Sequence, residues 1–256
     1  MIYCSRKICS AFFLASFFFS LFTSPCAALS DEEIGRTQKI LQGRPIGDRI
    51  ALWAEKFIGT PYDEDPQGVY VTQATIVADE KVDCMYLTFR SIELAFSNTP
   101  EEAVQVALEK RFHNHGRIQD GKVINYEDRY EYGEDMIRSG KWGREITSQL
   151  GGTTRIKGSR GVEFWEILPK KELAKGMSKL KSGDLIFFIK SPEKRVVGES
   201  VGHIGFIKVE DSLNQKNFYL IHAGGSKNKG GGVKKVSLAG YVTKMTFIGV
   251  QVTRFE

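Results

Sequence analysis

Cysteine is scarce in this chain. Four occur among 256 residues, and three of them, Cys4, Cys9 and Cys26, fall in the first 28. There Arg6 and Lys7 precede an apolar run from Ala11 to Phe22, and a break at Ser24-Pro25 leads to Cys26-Ala27-Ala28. That order is the pattern of a secretory signal peptide cleaved after Ala28, so the finished protein is expected to be exported, periplasmic or secreted. Acylation of Cys26 is the alternative, which the adjacent Pro25 disfavours. Cleavage leaves Cys84 as the single thiol, and no disulfide can then form within the chain. A lone thiol in an oxidising compartment is at risk of oxidation or mispairing, which hints at a use. The other reading is a buried cysteine acting as a small hydrophobe.

Further absences narrow the field. No segment after the leader approaches the roughly 20 apolar residues of a membrane span, so no integral membrane anchor is expected. The 36 basic and 31 acidic residues are spread without a dense basic stripe, which argues against a nucleic-acid partner. Internal repeats and heptads are missing. "HNHG" (113–116) has two of the four histidines but no Cys, Asp or Glu at ligand spacing to complete a metal site, and none is expected. "GGSKNKGGG" (224–232) lacks the Gly-Lys-Ser/Thr ending of a phosphate loop and reads as a flexible turn. No cofactor is expected, and the protein is expected to be a monomer.

The finished chain is long enough for one sizeable core. In "DRIALWAEKFIG" (48–59) the residues Ile50, Trp53, Ala54, Phe57 and Ile58 share a helical stripe, with Asp48 as N-cap and Gly59 at the end. In "DCMYLTFRSIELAF" (83–96) Met85, Phe89, Ile92 and Phe96 form an apolar face, which puts Cys84 at a helix N-terminus. Thr99, Pro100 and Glu102 open another helix in the manner of a capping box. Residues 113–180 are polar and weakly periodic, and read as loops with short helices that can form a lid. From 184 onward the period is two: "DLIFFI", "GHIGFIKV", "FYLIHA" and "FIGVQVTRF" are strand-like. Helices followed by strands predict an α+β fold with an antiparallel sheet.

Two histidines lie on adjacent strands, His203 in "VGHIGFIKVE" and His222 in "NFYLIHAGG". If Val209 sits opposite Lys216 across the turn, the two histidines face each other, with Cβ atoms roughly 4.5 to 5.5 Å apart. A slip of one residue would send them to opposite faces. A surface pair is the bland reading, and the lone cysteine is what weighs against it. A thiol at a helix N-terminus is favoured as thiolate, one imidazole can take its proton, and a third polar group can orient that imidazole. Cys84, His203 and His222 fit those three roles, and the backbone N–H of Cys84 can serve an oxyanion hole. "GESVG" (198–202) matches a serine nucleophile elbow, but a strand-like run follows Ser200 where the elbow needs a helix, so Ser200 reads as a loop residue.

The set "IGTPY" (58–62), "VDC" (82–84), "SGDLIFF" (182–188), "GHIGFI" (202–207) and "YLIHAGG" (219–225) resembles the NlpC-type cell-wall cysteine amidases, whose core is papain-like. The resemblance implies Cys84 as nucleophile, His203 as base and His222 as the third member. Peptide-cleaving members place Ser-Gly after the nucleophile, where this chain has Met85-Tyr86, and their gap to the Asp184 motif is shorter. Over most of its length, including "YEDRYEYGEDMI" (126–137), "TSQLGG" (147–152) and "IGVQVTR" (248–254), the chain is similar to the N-acetylmuramoyl-L-alanine amidase-like branch. That branch cuts the amide between muramic acid and L-Ala in small 1,6-anhydro muropeptides, so peptidoglycan fragments are the implied partner. The alternatives are a γ-D-glutamyl-diaminopimelate endopeptidase, a non-catalytic cell-wall-binding module, or a secreted effector. Tyr62 often lies beside the nucleophile in this family. Among Tyr126, Arg129, Tyr130, Tyr132, Arg138 and Trp142, which can offer faces and polar groups to a sugar, Arg129 and Tyr132 are taken as substrate-binding. Asp83 either binds substrate or caps the helix. The expected organisation is a signal peptide at 1–28, an N-terminal segment at 29–47, and one domain at 48–256 with an insertion at 113–180.

Overall fold

A computed structural model describes residues 28–212, 215–226 and 230–256; the expected signal peptide through Ala27, with Cys4, Cys9 and Cys26, lies outside the described residues. The first half is helical: α1 (Asp31–Leu41), α2 (Ile46–Lys56), α3 (Val69–Thr72), α4 (Cys84–Phe96) and α5 (Pro100–Lys110). A middle region holds short elements: β1 (Ile118–Gln119), β2 (Lys122–Val123), α6 (Gly133–Ser139), β3 (Arg144–Glu145), α7 (Thr147–Leu150), β4 (Thr154–Lys157), β5 (Phe164–Pro169) and α8 (Lys170–Gly176). The remainder is mostly strand: β6 (Leu185–Ile189), β7 (Val201–Ser212), β8 (Gln215–Ser226), β9 (Gly230–Ser237), α9 (Leu238–Lys244) and β10 (Gly249–Arg254). The main sheet is antiparallel in the order β4-β5-β10-β6-β7-β8-β9, with β3 also on β10. The expected α+β class is what the chain adopts.

Local signals explain the helix starts. Ser30 and Glu33 form a reciprocal capping box at α1, which sends Ile34 and Leu41 into the core. Thr99 Oγ1 accepts the N–H of Glu102 at α5, while the Glu102 carboxylate takes Asn98 N–H instead of the cap residue's own. Asp48 is not the cap of α2. Pro45 holds that position, because its ring fixes φ at −51° and the helix begins directly after it. The helix ends at Lys56, so Phe57 is buried but Ile58 turns 41% exposed rather than completing the stripe.

Helix α4 does not have the single apolar face that its pattern predicts. It is buried from Tyr86 to Ala95, polar positions included, while Phe96 is 38% exposed. Its charges are matched inside: Arg111 makes a two-bond pair with Glu93 at 2.6 and 2.7 Å, and Arg90 pairs with Asp79 at 3.0 Å. Tyr86, next but one to the cysteine, donates its hydroxyl to Asp79 at 2.8 Å and accepts the N–H of Ala78. Removing either partner of such a pair would strand a buried charge, so the network fixes how α4 is seated.

Three strand expectations need correction. Residues 113–180 contain β4 and β5, a hairpin that extends the main sheet through β10, where only loops and short helices were expected. The β7–β8 hairpin keeps pairing out to Ser212↔Gln215 and places Val209 opposite Phe218 rather than Lys216. The register is therefore two residues from the expected one, because the turn-like residues Asp211, Ser212 and Lys216 pair as strand. A shift of two preserves the face, so His203 and His222 become diagonal rather than direct neighbours on the same face. Finally, the glycine-rich run is mostly strand: β8 and β9 pair from Ser226↔Gly230 inward, and only residues 227–229 lie outside the described residues.

Candidate active site

Cys84 is the first residue of α4, and Asp83 is its N-cap, accepting the N–H of Tyr86 at 2.7 Å. The segment before α3 reaches this point through a parallel bridge, Tyr62↔Val82, closed by Asp63 N–H to Val82 O and Val82 N–H to Pro61 O at 3.1 and 3.0 Å. Tyr62 is thereby set beside Asp83 and Cys84. On its other side stands Gly225, where a Cβ would come within 2.5 Å of the Tyr62 ring. Gly224 plays the same part for His222, since a Cβ there would lie 2.7 Å from the imidazole Cε1. The two glycines of "HAGG" are thus the space into which the two rings fold.

The imidazoles meet directly. His203 Nε2 and His222 Nδ1 are 2.9 Å apart, with rings at 87°. One of these nitrogens carries the shared proton; if it is His203 Nε2, then His203 Nδ1 is left as a free acceptor and His222 Nε2 bears the second proton. Part of His203 reaches solvent, but its ring is walled by Phe188, Tyr241 and Phe247 at centroid distances of 5.8, 6.4 and 6.5 Å. That burial, with His222 adjacent, pushes its pKa down to about 3. Burial and the Lys234 charge push His222 down to about 4, so both rings are neutral at pH 7.

The thiol is held in its neutral form as well. Cys84 is partly exposed as a residue, yet burial of its sulfur and the Asp83 carboxylate push its pKa up to about 12. Opposing this are the backbone N–H groups of Ile204, Cys84 and Met85, which point at the sulfur. The first of these belongs to the residue after His203, so β7 and the start of α4 converge on the thiol. Burial and the nearby Asp63 raise Asp83 to about 6, against the two N–H bonds from Tyr86 and Met85. Tyr62 is raised above its ordinary value by burial and by Cys84 and Asp83. Tyr241 is pushed up to about 12 by burial and by Cys84. The sequence does not mark Tyr241 or Phe247 as site residues: Tyr241 lies in α9, and Phe247, at the head of a strand-like run, lies in the link from α9 to β10.

The other predicted residues divide. Asp83, Arg129 and Tyr132 line one cleft of about 280 Å³ together with Met85, Tyr70 and Tyr130. Arg129 donates to Tyr126 O at 2.9 Å and pairs with the exposed Glu131 at 2.6 Å, and the Arg160 guanidinium lies 3.6 Å over the Tyr132 ring. Tyr126 and Trp142 are buried core residues, packed on Phe112 and Phe89, and offer no face to a sugar. Arg138 lies in a separate hollow with His113 and Lys141. Two larger hollows, of about 500 and 570 Å³, are lined by none of the predicted site residues. Ser200 is fully buried and directly precedes β7, bonded to Ser159 at 2.7 Å, so it is not placed on a nucleophile elbow. Among the described residues, no helix is long and apolar enough to cross a membrane.

No family model matches the chain, and a search of curated proteins found no match. Solved structures do match. An N-acetylmuramoyl-L-alanine amidase from Bacteroides uniformis superposes with a TM-score of 0.60 at 21% identity, over 82% of this chain and 98% of that one. A Legionella pneumophila protein of family DUF1460 superposes with a TM-score of 0.63 at 15% identity, over 87% of this chain and 93% of that one. The chain has their fold. It is a papain-like arrangement of helices and an antiparallel sheet.

Proposed function

We propose that this chain is a cysteine amidase that hydrolyses the N-acetylmuramoyl-L-alanine amide of peptidoglycan fragments. The observation that carries the reading is the 2.9 Å contact between His203 and His222, with the N–H of Ile204, the residue after His203, pointing at the sulfur of a cysteine at a helix N-terminus. The amidase name of one structural neighbour supports the substrate class.

In this reading His203 Nδ1 takes the Cys84 proton as the sulfur attacks the lactyl carbonyl carbon, since burial keeps thiol and imidazole neutral beforehand. The C–S bond forms as the carbonyl π pair moves to oxygen. The oxyanion is met by the Cys84 N–H at the positive end of α4. Collapse breaks the C–N bond, and the His203 imidazolium protonates the departing L-Ala amine. Water, deprotonated by His203, then opens the muramyl thioester and returns the thiol. His222 keeps His203 in the useful tautomer throughout. Asp83, Arg129 and Tyr132 bind substrate in the cleft they line, and Tyr62 binds it beside the thiol, Asp83 also capping α4. The preferred substrates are 1,6-anhydro muropeptides, and the enzyme works as an exported monomer that carries 113–180 as an insertion; the expected domain start at 48 falls inside α2, and α1 belongs to the same core.

The test is mass spectrometry of products from a disaccharide-tetrapeptide, in anhydro and reducing forms, with Cys84→Ala as control. Release of free disaccharide with an intact peptide beginning at L-Ala is the expected result. A disaccharide that keeps L-Ala-D-Glu would make the enzyme an endopeptidase, and no turnover would remove the enzymatic reading.

A further inference from the structure

A buried carboxylate stands outside the cluster of thiol and imidazoles. Glu134, in the first turn of α6, is 1% exposed. Its Oε1 accepts the N–H of Ser200 at 2.6 Å and the hydroxyl of Ser159 at 3.3 Å, and its Oε2 accepts the N–H of Val201 at 3.3 Å. Ser159 and Ser200 are joined by their hydroxyls, and Ser200 O accepts the N–H of Lys190. Helix α6 is pressed onto the start of β7: a Cβ on Gly133 would lie 2.6 Å from a Val201 methyl. All of these contacts fall just before His203.

The strand they hold is irregular at that point. Phe188 pairs with His203, but the next residue of β6, Ile189, pairs with Val201, so Gly202 is one residue too many on β7. Such a bulge changes the facing of side chains on its two sides. Val201 and His203 are two apart and would share a face in a regular strand. Here Val201 packs with Ile189 in the core beneath the helices, whereas His203 stacks on Phe188, which belongs to the core of the opposite face. Without the bulge, either Val201 leaves its core or the imidazole leaves His222.

We infer that Glu134 is a positioning residue: by holding the Ser200 and Val201 N–H groups it pins the bulge at Gly202 and so sets the aim of the His203 imidazole. The residues from "GESVG" are the receiving end of this brace, and the inserted region 113–180 acts on the reaction through it. The inference rests on the amidase reading for its kinetic arm only. Glutamine at 134 can accept at one oxygen but turns an NH2 toward the other donor, so Glu134→Gln is the mild probe and Glu134→Ala the severe one.

Two measurements decide it. Long-range proton–nitrogen NMR of protein labelled at histidine reports the His203 tautomer and its bond to His222 without any turnover. Both variants are expected to lose the single wild-type tautomer pattern. Muropeptide hydrolysis by the same variants is expected to lose about 10- to 100-fold in kcat with KM within about twofold, the scale of a displaced catalytic group. Asp184→Asn, which weakens the buried pair with Arg254 at the far end of β6, is the control for general destabilisation, with an unchanged imidazole pattern. If Glu134→Ala does not fold, Glu134→Gln carries the test. Wild-type imidazole signals in either folded variant would overturn the inference. Should wild-type protein fail to cleave muropeptides, the proposed function fails and the NMR arm still judges Glu134.

Discussion

Replacing Gly224 with alanine is the smallest perturbation that reaches the imidazole pair. The added methyl would stand 2.7 Å from His222 Cε1 and 3.2 Å from Nδ1. Ordinary carbon contacts begin near 3.5 Å, so the ring must retreat by roughly 0.8 Å. Gly224 is a paired strand residue opposite Gly232 without a left-handed φ, so the backbone itself accepts alanine. The cost therefore falls on the ring, and a retreat of that size stretches the 2.9 Å bond to His203 beyond hydrogen-bond range. An unsatisfied buried donor costs about 1–3 kcal/mol, which in a transition state is roughly 10- to 100-fold in rate. The expected result is a fall of that size in kcat on an anhydro muropeptide, followed by chromatography, with a melting temperature within a few degrees of wild type. Gly240→Ala, whose Cβ meets nothing closer than 3.7 Å, should leave kcat alone. A Gly224→Ala enzyme with wild-type kcat would refute the claim that this contact matters to the reaction.

Stability should fall as the pH is lowered, because the imidazole pair is buried neutral. His203 and His222 are lowered to about 3 and about 4, so their contribution is full above the unfolded value near 6.5 and is lost as pH falls toward 3. Asp83, raised to about 6, works the other way and recovers part of the loss below that pH. Urea unfolding at pH 7 and 4.5 should show a loss of a few kcal/mol that shrinks in a His203→Gln/His222→Gln double variant; an equal loss in both would assign it elsewhere. Arg129→Ala should raise KM several-fold with kcat within about twofold, and an unchanged KM would remove Arg129 from the binding cleft. Arg111→Leu, leaving Glu93 unpaired where both side chains are 0% exposed, should cost about 3–5 kcal/mol by urea midpoint. Adding Glu93→Leu should restore part of that, because no charge is then left stranded.

The sequence was most legible where a local rule acts alone. Thr99-Pro100 and Asp83 start their helices because capping needs only the residues at hand. It was least legible where distant segments decide. Nothing in "CMYLTFRSIELAF" says that Arg90 and Glu93 will be buried, because their partners Asp79 and Arg111 lie outside the helix. Tyr241 reaches His203 from α9 and Phe247 from the link between α9 and β10, and no spacing records that. The polar middle region hid β4 and β5, whose exposed residues obscure the alternation of a sheet edge.

The histidine pair is the informative case, since its expected register was wrong and its expected juxtaposition was not. Cross-strand geometry has period two, so an error of two residues leaves both imidazoles on one face and only lengthens their separation along the strand. A diagonal pair is too far apart for small side chains but within reach of two rings. What closes the remaining distance is the empty side of Gly224, over which the His222 ring folds. The motif "HAGG" therefore encodes the contact more robustly than the turn does: a histidine followed at two residues by a glycine on the same strand face keeps its imidazole free to lean along the strand. Substituting the glycine attacks the contact directly, whereas changing the turn residues at 211–216 would have to move the register by an odd number before the pair was lost.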